Sequence, residues 1–337
     1  MNNKNILFTI VLSISLLSLI VGIISPVKKK MNTIDVQNTK NKSNINKIIN
    51  AGYNKVAIIE LSGVISSTPD KNILSDENSS LSALKAINEA ESDKSVKGII
   101  IRINSPGGTV GMSQRLYSAV INARKVKPVI AVMDDVTASG GYYVASACDR
   151  ITSLPGTITG SIGVIMSTMD FQDLLTDKLG ISENVVKSGK YKDIGSSTRH
   201  MTKEEWKILQ SMVDDSYDQF INAIINGRIN RTDSYKADKK ILTEENLLKY
   251  ADGRVFTGRQ ALEYGFVDSN GGMREAQKMM QSILEQKHPG ISGINYVEYG
   301  KINNFLNALG LNQTSSSFEN LVPQSIKYAR KPLYLWE

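Results

Sequence analysis

An α/β fold with a parallel sheet is the architecture that residues 55–155 predict, preceded by one apolar segment long enough to cross a membrane. Three observations carry this. Strand-like and helix-like blocks alternate from Val56 onward. The blocks Gly98–Asn104 and Pro128–Met133 are apolar runs of strand length, the pattern of strands buried inside a sheet. Residues Ile6–Ser25 carry no charge at all.

The elements follow in order. Twenty helical residues from Ile6 to Ser25 would span roughly 30 Å, the hydrocarbon thickness of a bilayer. Pro26 ends the run, and Lys28, Lys29 and Lys30 suit the headgroup layer. A cleaved signal peptide has a shorter apolar core and a small-residue cleavage site, so the segment reads as a retained anchor over residues 1–27. Residues 28–54, rich in Asn, Lys, Ser and Thr, read as a tether. The charge count complicates orientation. Three lysines follow the span and only Lys4 precedes it, which by the positive-inside rule leaves the C-terminal bulk in the cytoplasm.

A globular domain is expected over residues 55–288. Val56–Ser62 is a strand. Leu81–Glu91 is a helix with Ala83, Leu84, Ile87 and Ala90 on one face. Gly98–Asn104 is a strand, Met112–Val126 a helix and Pro128–Met133 a strand, an alternation expected of βαβ units. The pattern continues at Ile162–Met166, followed by a helix over 170–179 and a short strand at Val185–Lys187. A long amphipathic helix spans Lys203–Ile229, opened by the capping-box sequence Thr202-Lys-Glu-Glu205. Further helices are expected at 243–250, 257–264 and 272–287. Residues 289–337 lose periodicity and read as a tail.

Composition narrows the chemistry. The 337 residues include 40 Lys and Arg, 33 Asp and Glu, two His and one Cys. A lone Cys148 excludes an intramolecular disulfide framework. With only His200 and His288, a Cys/His zinc site is not expected, and Ser-His-Asp chemistry has little to draw on. Lys4 and Lys28–Lys30 supply four of the seven net positive charges. The remainder is close to balance, so no nucleic-acid footprint is expected.

Three segments could carry chemistry. Asn104-Ser-Pro-Gly-Gly108 follows a strand, where open α/β sheets place ligands. It is either an ordinary turn or a loop whose glycine N–H groups meet an oxyanion. Ser139 stands at a strand-to-helix junction before Gly140-Gly141. It is either a helix N-cap or a nucleophile. Ser188-Gly-Lys-Tyr-Lys192-Asp193 is either a solvated loop or the source of a lysine base. An ordinary lysine has a pKa near 10.4, and burial lowers it.

Together these segments resemble the signal peptide peptidase A family of membrane-bound serine proteases, in its short single-domain form. The matching residues are Ser105–Gly108, Ala138-Ser-Gly-Gly-Tyr-Tyr143, Thr159-Gly-Ser-Ile-Gly-Val164 and Ser188-Gly-x-x-Lys192-Asp193. Ala251–Ala261 leading into Gly265–Asp268 matches as well. The resemblance covers about residues 54–285 and the N-terminal span. It implies a ClpP/crotonase-like fold of repeated β-β-α units. It implies Ser139 as nucleophile and Lys192, rather than Lys190, as general base. Gly107, Gly108 and Gly140 would offer oxyanion-hole N–H groups, and Ser161 would orient the lysine. It implies no metal and no cofactor, peptide substrates including signal-peptide remnants, and a homo-oligomeric ring, typically an octamer. Serine and lysine of one site would come from adjacent protomers. The domain would lie outside the cytoplasm, against the Lys28–Lys30 count.

Two other classes fit parts of the pattern. A crotonase-type acyl-CoA enzyme would share the oxyanion-hole fold but would not need Ser139 and Lys192. A non-catalytic membrane-tethered scaffold would keep only the assembly. The terminal Leu333-Tyr-Leu-Trp336 stretch could lie as an extended peptide in a groove, or simply pack on a neighbouring surface.

Overall fold

The computed structural model describes residues 54–68, 80–230 and 242–300, and the backbone of 333–335. All of these fall within the unit Ile49–Glu337. The expected anchor at Ile6–Ser25 and the tether lie outside the described residues. Among the described residues, no helix is long and apolar enough to cross a membrane.

The architecture is mixed α/β, as expected. The chain runs β1 (Lys55–Ser62), α1 (Ser80–Ser92), β2 (Val96–Ser105), β3 (Gly107–Thr109), α2 (Val110–Val126), β4 (Val129–Ala138) and α3 (Gly140–Ser146). It continues through β5 (Arg150–Ser153), β6 (Ile158–Gly160), α4 (Lys203–Ile224), α5 (Glu244–Tyr250), β7 (Val255–Thr257) and α6 (Gly258–Tyr264). It closes with β8 (Ser269–Asn270), α7 (Met273–Lys287), β9 (Asn295–Tyr299) and β10 (Leu333–Leu335).

The main sheet has the order β7-β6-β4-β2-β1-β9. Every pairing in it is parallel except β6 with β7. Strand β4 serves two neighbours on one edge. Ile130–Met133 pair with β5, and Val136–Ala138 pair with β6. The second pairing brings the ends of β4 and β6 level, Ala138 beside Gly160, which sets up the site.

Both faces of the central strands are buried, which explains their continuous apolar sequence. On β2, Ile99, Ile101 and Ile103 enter the core shared with α1 and α2, while Ile100 enters a second core with Met280, Ile283 and Leu284 of α7. On β4, Ala131 and Met133 face the first core, and Ile130 and Val132 the second. Each such buried aliphatic side chain contributes about 1.5–3 kcal/mol. Helix α4 opens with the full capping box at Thr202 and Glu205. It runs into a π-helical turn at Ile225–Ile229.

The structure departs from the expectations at four places. Ile162–Met166 and Val185–Lys187 form no strand. The strand is instead Ile158–Gly160, three residues whose pairing with β4 and β7 replaces any local period. The expected helix over 170–179 is partly a π-helical turn at Leu174–Lys178. Part of the expected tail joins the sheet, since β9 pairs parallel with β1 along Asn295–Tyr299. Tyr299 also donates its hydroxyl hydrogen bond to Asp93, at 2.7 Å.

Candidate active site

The site grows from the C-terminal ends of β2, β4 and β6. Ser139 follows the last residue of β4. Its backbone adopts φ 51° and ψ −119°, a conformation that costs a non-glycine residue about 1–3 kcal/mol. Ser139 N–H donates to Gly160 O at 2.8 Å, and Ser139 O accepts from Tyr143 N–H at 2.9 Å. The residue is fully buried. Its hydroxyl makes no capping bond to α3 and has no hydrogen-bond partner among the described residues. The N-cap alternative therefore fails: the strained backbone holds an oxygen that the fold itself does not use.

The rest of α3 is anchored from behind. Tyr142 is fully buried and donates to Phe266 O at 2.9 Å; burial pushes its hydroxyl far above the usual tyrosine range. Tyr143 packs on Tyr117 and Phe220. Beneath them Arg228 forms a fork with Asp268, at 2.9 and 3.1 Å, and Asp268 also accepts from Ile151 N–H at 2.6 Å. The Gly265–Asp268 motif thus supports the site from behind.

The glycines converge. A Cβ on Gly140 would lie 3.2 Å from Gly108 N and 2.5 Å from Ser113 Oγ, so any side chain there would push into the β3 turn. A Cβ on Gly108 would lie 2.0 Å from Ile65 O. That close approach lets Ile65 N–H reach Gly107 O at 2.7 Å and Thr109 N–H reach Ile65 O at 2.8 Å. Gly107 has φ 108°, the region that favours glycine. Its N–H is already donated to Ser105 Oγ at 3.1 Å. With its N–H spent on the Ser105 hydroxyl, Gly107 shapes the turn that brings Gly108 against Gly140.

Ser161 adjoins this cluster. It follows Gly160, has φ 49°, and donates its N–H to Arg254 O at 2.8 Å. Ser139 and Ser161 are the two non-glycine residues with positive φ among those described. Both follow residues paired across β4 and β6.

Lys192 is not joined to this cluster within one chain. It is exposed, on a turn where its N–H donates to Gly189 O at 3.1 Å. Among the described residues its amine makes no hydrogen bond, and Ser139 Oγ receives none. Lys190 pairs with Glu204, and that contact raises its pKa above the ordinary lysine value. This is the wrong direction for a base. The surrounding segment carries exposed Ile165, Met169, Phe171, Leu179, Ile181 and Val186.

Two further features lie in this region, the first of them not anticipated from sequence. One is Arg199, which bridges Asp193 and Glu205. The other is β10, whose backbone lies antiparallel on β3, Tyr334 opposite Gly108 and Leu335 opposite Gly107. The segment is thus extended and paired with the glycine turn.

The chain is 41% identical over 229 residues to a provisionally named protease of Synechocystis sp., covering 68% of this chain and 74% of that protein. The model of peptidase family S49 matches residues 122–287. The chain belongs to peptidase family S49. That match contains Ser139, Ser161 and Lys192. A provisionally named signal peptide peptidase SppA of Enterococcus faecium is 34% identical, over 70% of this chain and 65% of that protein. A chloroplastic serine protease SPPA of Arabidopsis thaliana is 31% identical, over 74% of this chain but only 35% of its own length. The mixed α/β sheet fits the ClpP/crotonase-like fold of an S49 protease.

Proposed function

We propose that the protein is a membrane-anchored serine endopeptidase in which Ser139 and Lys192 form the catalytic dyad. The carrying observation is the buried, strained Ser139 with its unpartnered hydroxyl beside the Gly108 and Gly140 turn. A neutral Lys192 amine takes the Ser139 proton as Oγ attacks the peptide carbonyl. The Gly108 and Gly140 amides receive the oxyanion, each such donor being worth about 3–4 kcal/mol. The amine then protonates the leaving group, and a lysine-activated water releases the acyl-enzyme.

The exposed lysine turn and its apolar flank support a site completed between copies of the chain in a homo-oligomeric ring. An octamer suits the family resemblance. The substrates are extended peptides, signal-peptide remnants foremost, delivered by an anchor at residues 1–27. The resemblance favours an extracytoplasmic domain. The pairing of β10 with β3 supports substrate entry as an added antiparallel strand.

A fluorophosphonate probe tests the nucleophile. Peptide mapping should find the adduct on Ser139, with labelling lost in Ser139→Ala and strongly slowed in Lys192→Ala. An adduct on any other serine, with hydrolysis blocked, would refute the assignment. A non-catalytic scaffold would assemble but take no label at all.

A further inference from the structure

Lys192 sits in a turn that is fastened from one side by a single guanidinium. Arg199 Nε and Nη2 donate to Asp193, the residue following Lys192, at 3.0 and 2.8 Å. Nη2 also reaches the Asp193 carbonyl at 3.1 Å. The same guanidinium donates to Glu205 through Nη1 at 2.9 Å and Nη2 at 2.6 Å. Glu205 in turn closes the capping box of α4, accepting from Thr202 N–H at 2.9 Å. Its carboxylate is almost entirely buried, so the far end of the bridge is fixed on a 22-residue helix. Lys187 adds a second cation on Asp193.

We propose that Arg199 is a positioning residue for Lys192, tying the lysine turn to the first turn of α4. This rests on the Ser139–Lys192 reading above. One physical requirement points to Arg199: a base must be held to within a fraction of an ångström of its proton donor. The charged groups around the turn are Lys187, Lys190, Asp193 and Arg199 on the segment itself, and Glu204 and Glu205 on α4. Lys190 is engaged with Glu204 and Arg199 with both Asp193 and Glu205, which leaves Lys192 as the uncommitted cation of this group. An arginine suits this position because its planar fork presents paired N–H donors to both carboxylates.

The full-length protein in detergent is assayed with a fluorogenic peptide, with assembly checked by light scattering. Arg199→Ala should lower kcat about tenfold or more while KM stays within about twofold. Arg199→Lys keeps the charge but loses the double fork, and should also lose kcat. If Arg199→Ala fails to assemble, the lysine variant decides. Wild-type kcat in the assembled variants, or a rise in KM with kcat unchanged, would overturn the proposal, whatever the change in melting temperature. Lys192→Ala is run alongside. Full turnover there would remove the dyad itself, which separates that failure from a failure of the Arg199 role.

Discussion

At the residue scale, Ser139 is where the fold gives up stability. Its positive φ and unpartnered buried hydroxyl each carry a cost of about 1–3 kcal/mol. Glycine takes the same backbone freely, though it loses about 0.5–1 kcal/mol in chain entropy. Ser139→Gly should therefore raise unfolding free energy by about 1 kcal/mol in urea titration while abolishing hydrolysis. A destabilised Ser139→Gly protein would mean that the hydroxyl supports the fold. Glu205 behaves in the opposite way. Arg199 and the Thr202 N–H hold its carboxyl down to about 2. A depressed carboxylate stabilises the folded state above its unfolded value, and the gain fades as pH falls. Wild type should thus lose stability, relative to Glu205→Gln, between about pH 4.5 and pH 2. Parallel urea curves for the two proteins across that range would contradict this. The junction at Ser139 and its glycines were legible as a small-residue strand-to-helix turn, but their proposed roles came only from the family resemblance. Arg199 was not, because a bridge between two carboxylates leaves no periodic trace.

At the element scale, length decided which strands were legible, while even the short helices α5 and α6 were placed within a residue. Helices α1, α2, α4 and α7 carry enough turns for an apolar stripe, and the sequence placed all four within a few residues. The long strands β1, β2 and β4 show as apolar runs. Strands of two to five residues do not. β6, β8 and β9 exist because a neighbouring strand offers its edge, a fact that local sequence does not record. β10 is the extreme case, since its partner lies more than two hundred residues earlier. That pairing has a consequence for binding. If the β3 edge also receives substrate, β10 and peptide compete for it. A chain ending at residue 330 should show a lower KM for a fluorogenic peptide with kcat little changed. An unaltered KM would place the substrate strand elsewhere.

At the scale of the whole molecule, the described unit is a closed α/β core with an open flank. The sheet is covered by α1 and α2 on one face and α7 on the other. The segment between β6 and α4 instead leaves a series of large apolar side chains exposed, more than isolated surface hydrophobics explain. A second copy packed there would cover them and bring an exposed lysine turn to a buried serine. That is the physical argument for the proposed ring, which the sequence suggests only through its family resemblance. The most direct measurement is complementation. Ser139→Ala and Lys192→Ala proteins are purified separately, dissociated, mixed in equal amounts and reassembled, and peptide hydrolysis is followed. Each variant alone should be inactive. The mixture should recover activity on the order of a quarter of wild type, because random mixing in a ring of shared sites restores one intact serine–lysine pair in four. A mixture that assembles normally and stays inactive would contradict a site shared between copies, and hydrolysis by either variant alone would contradict the dyad.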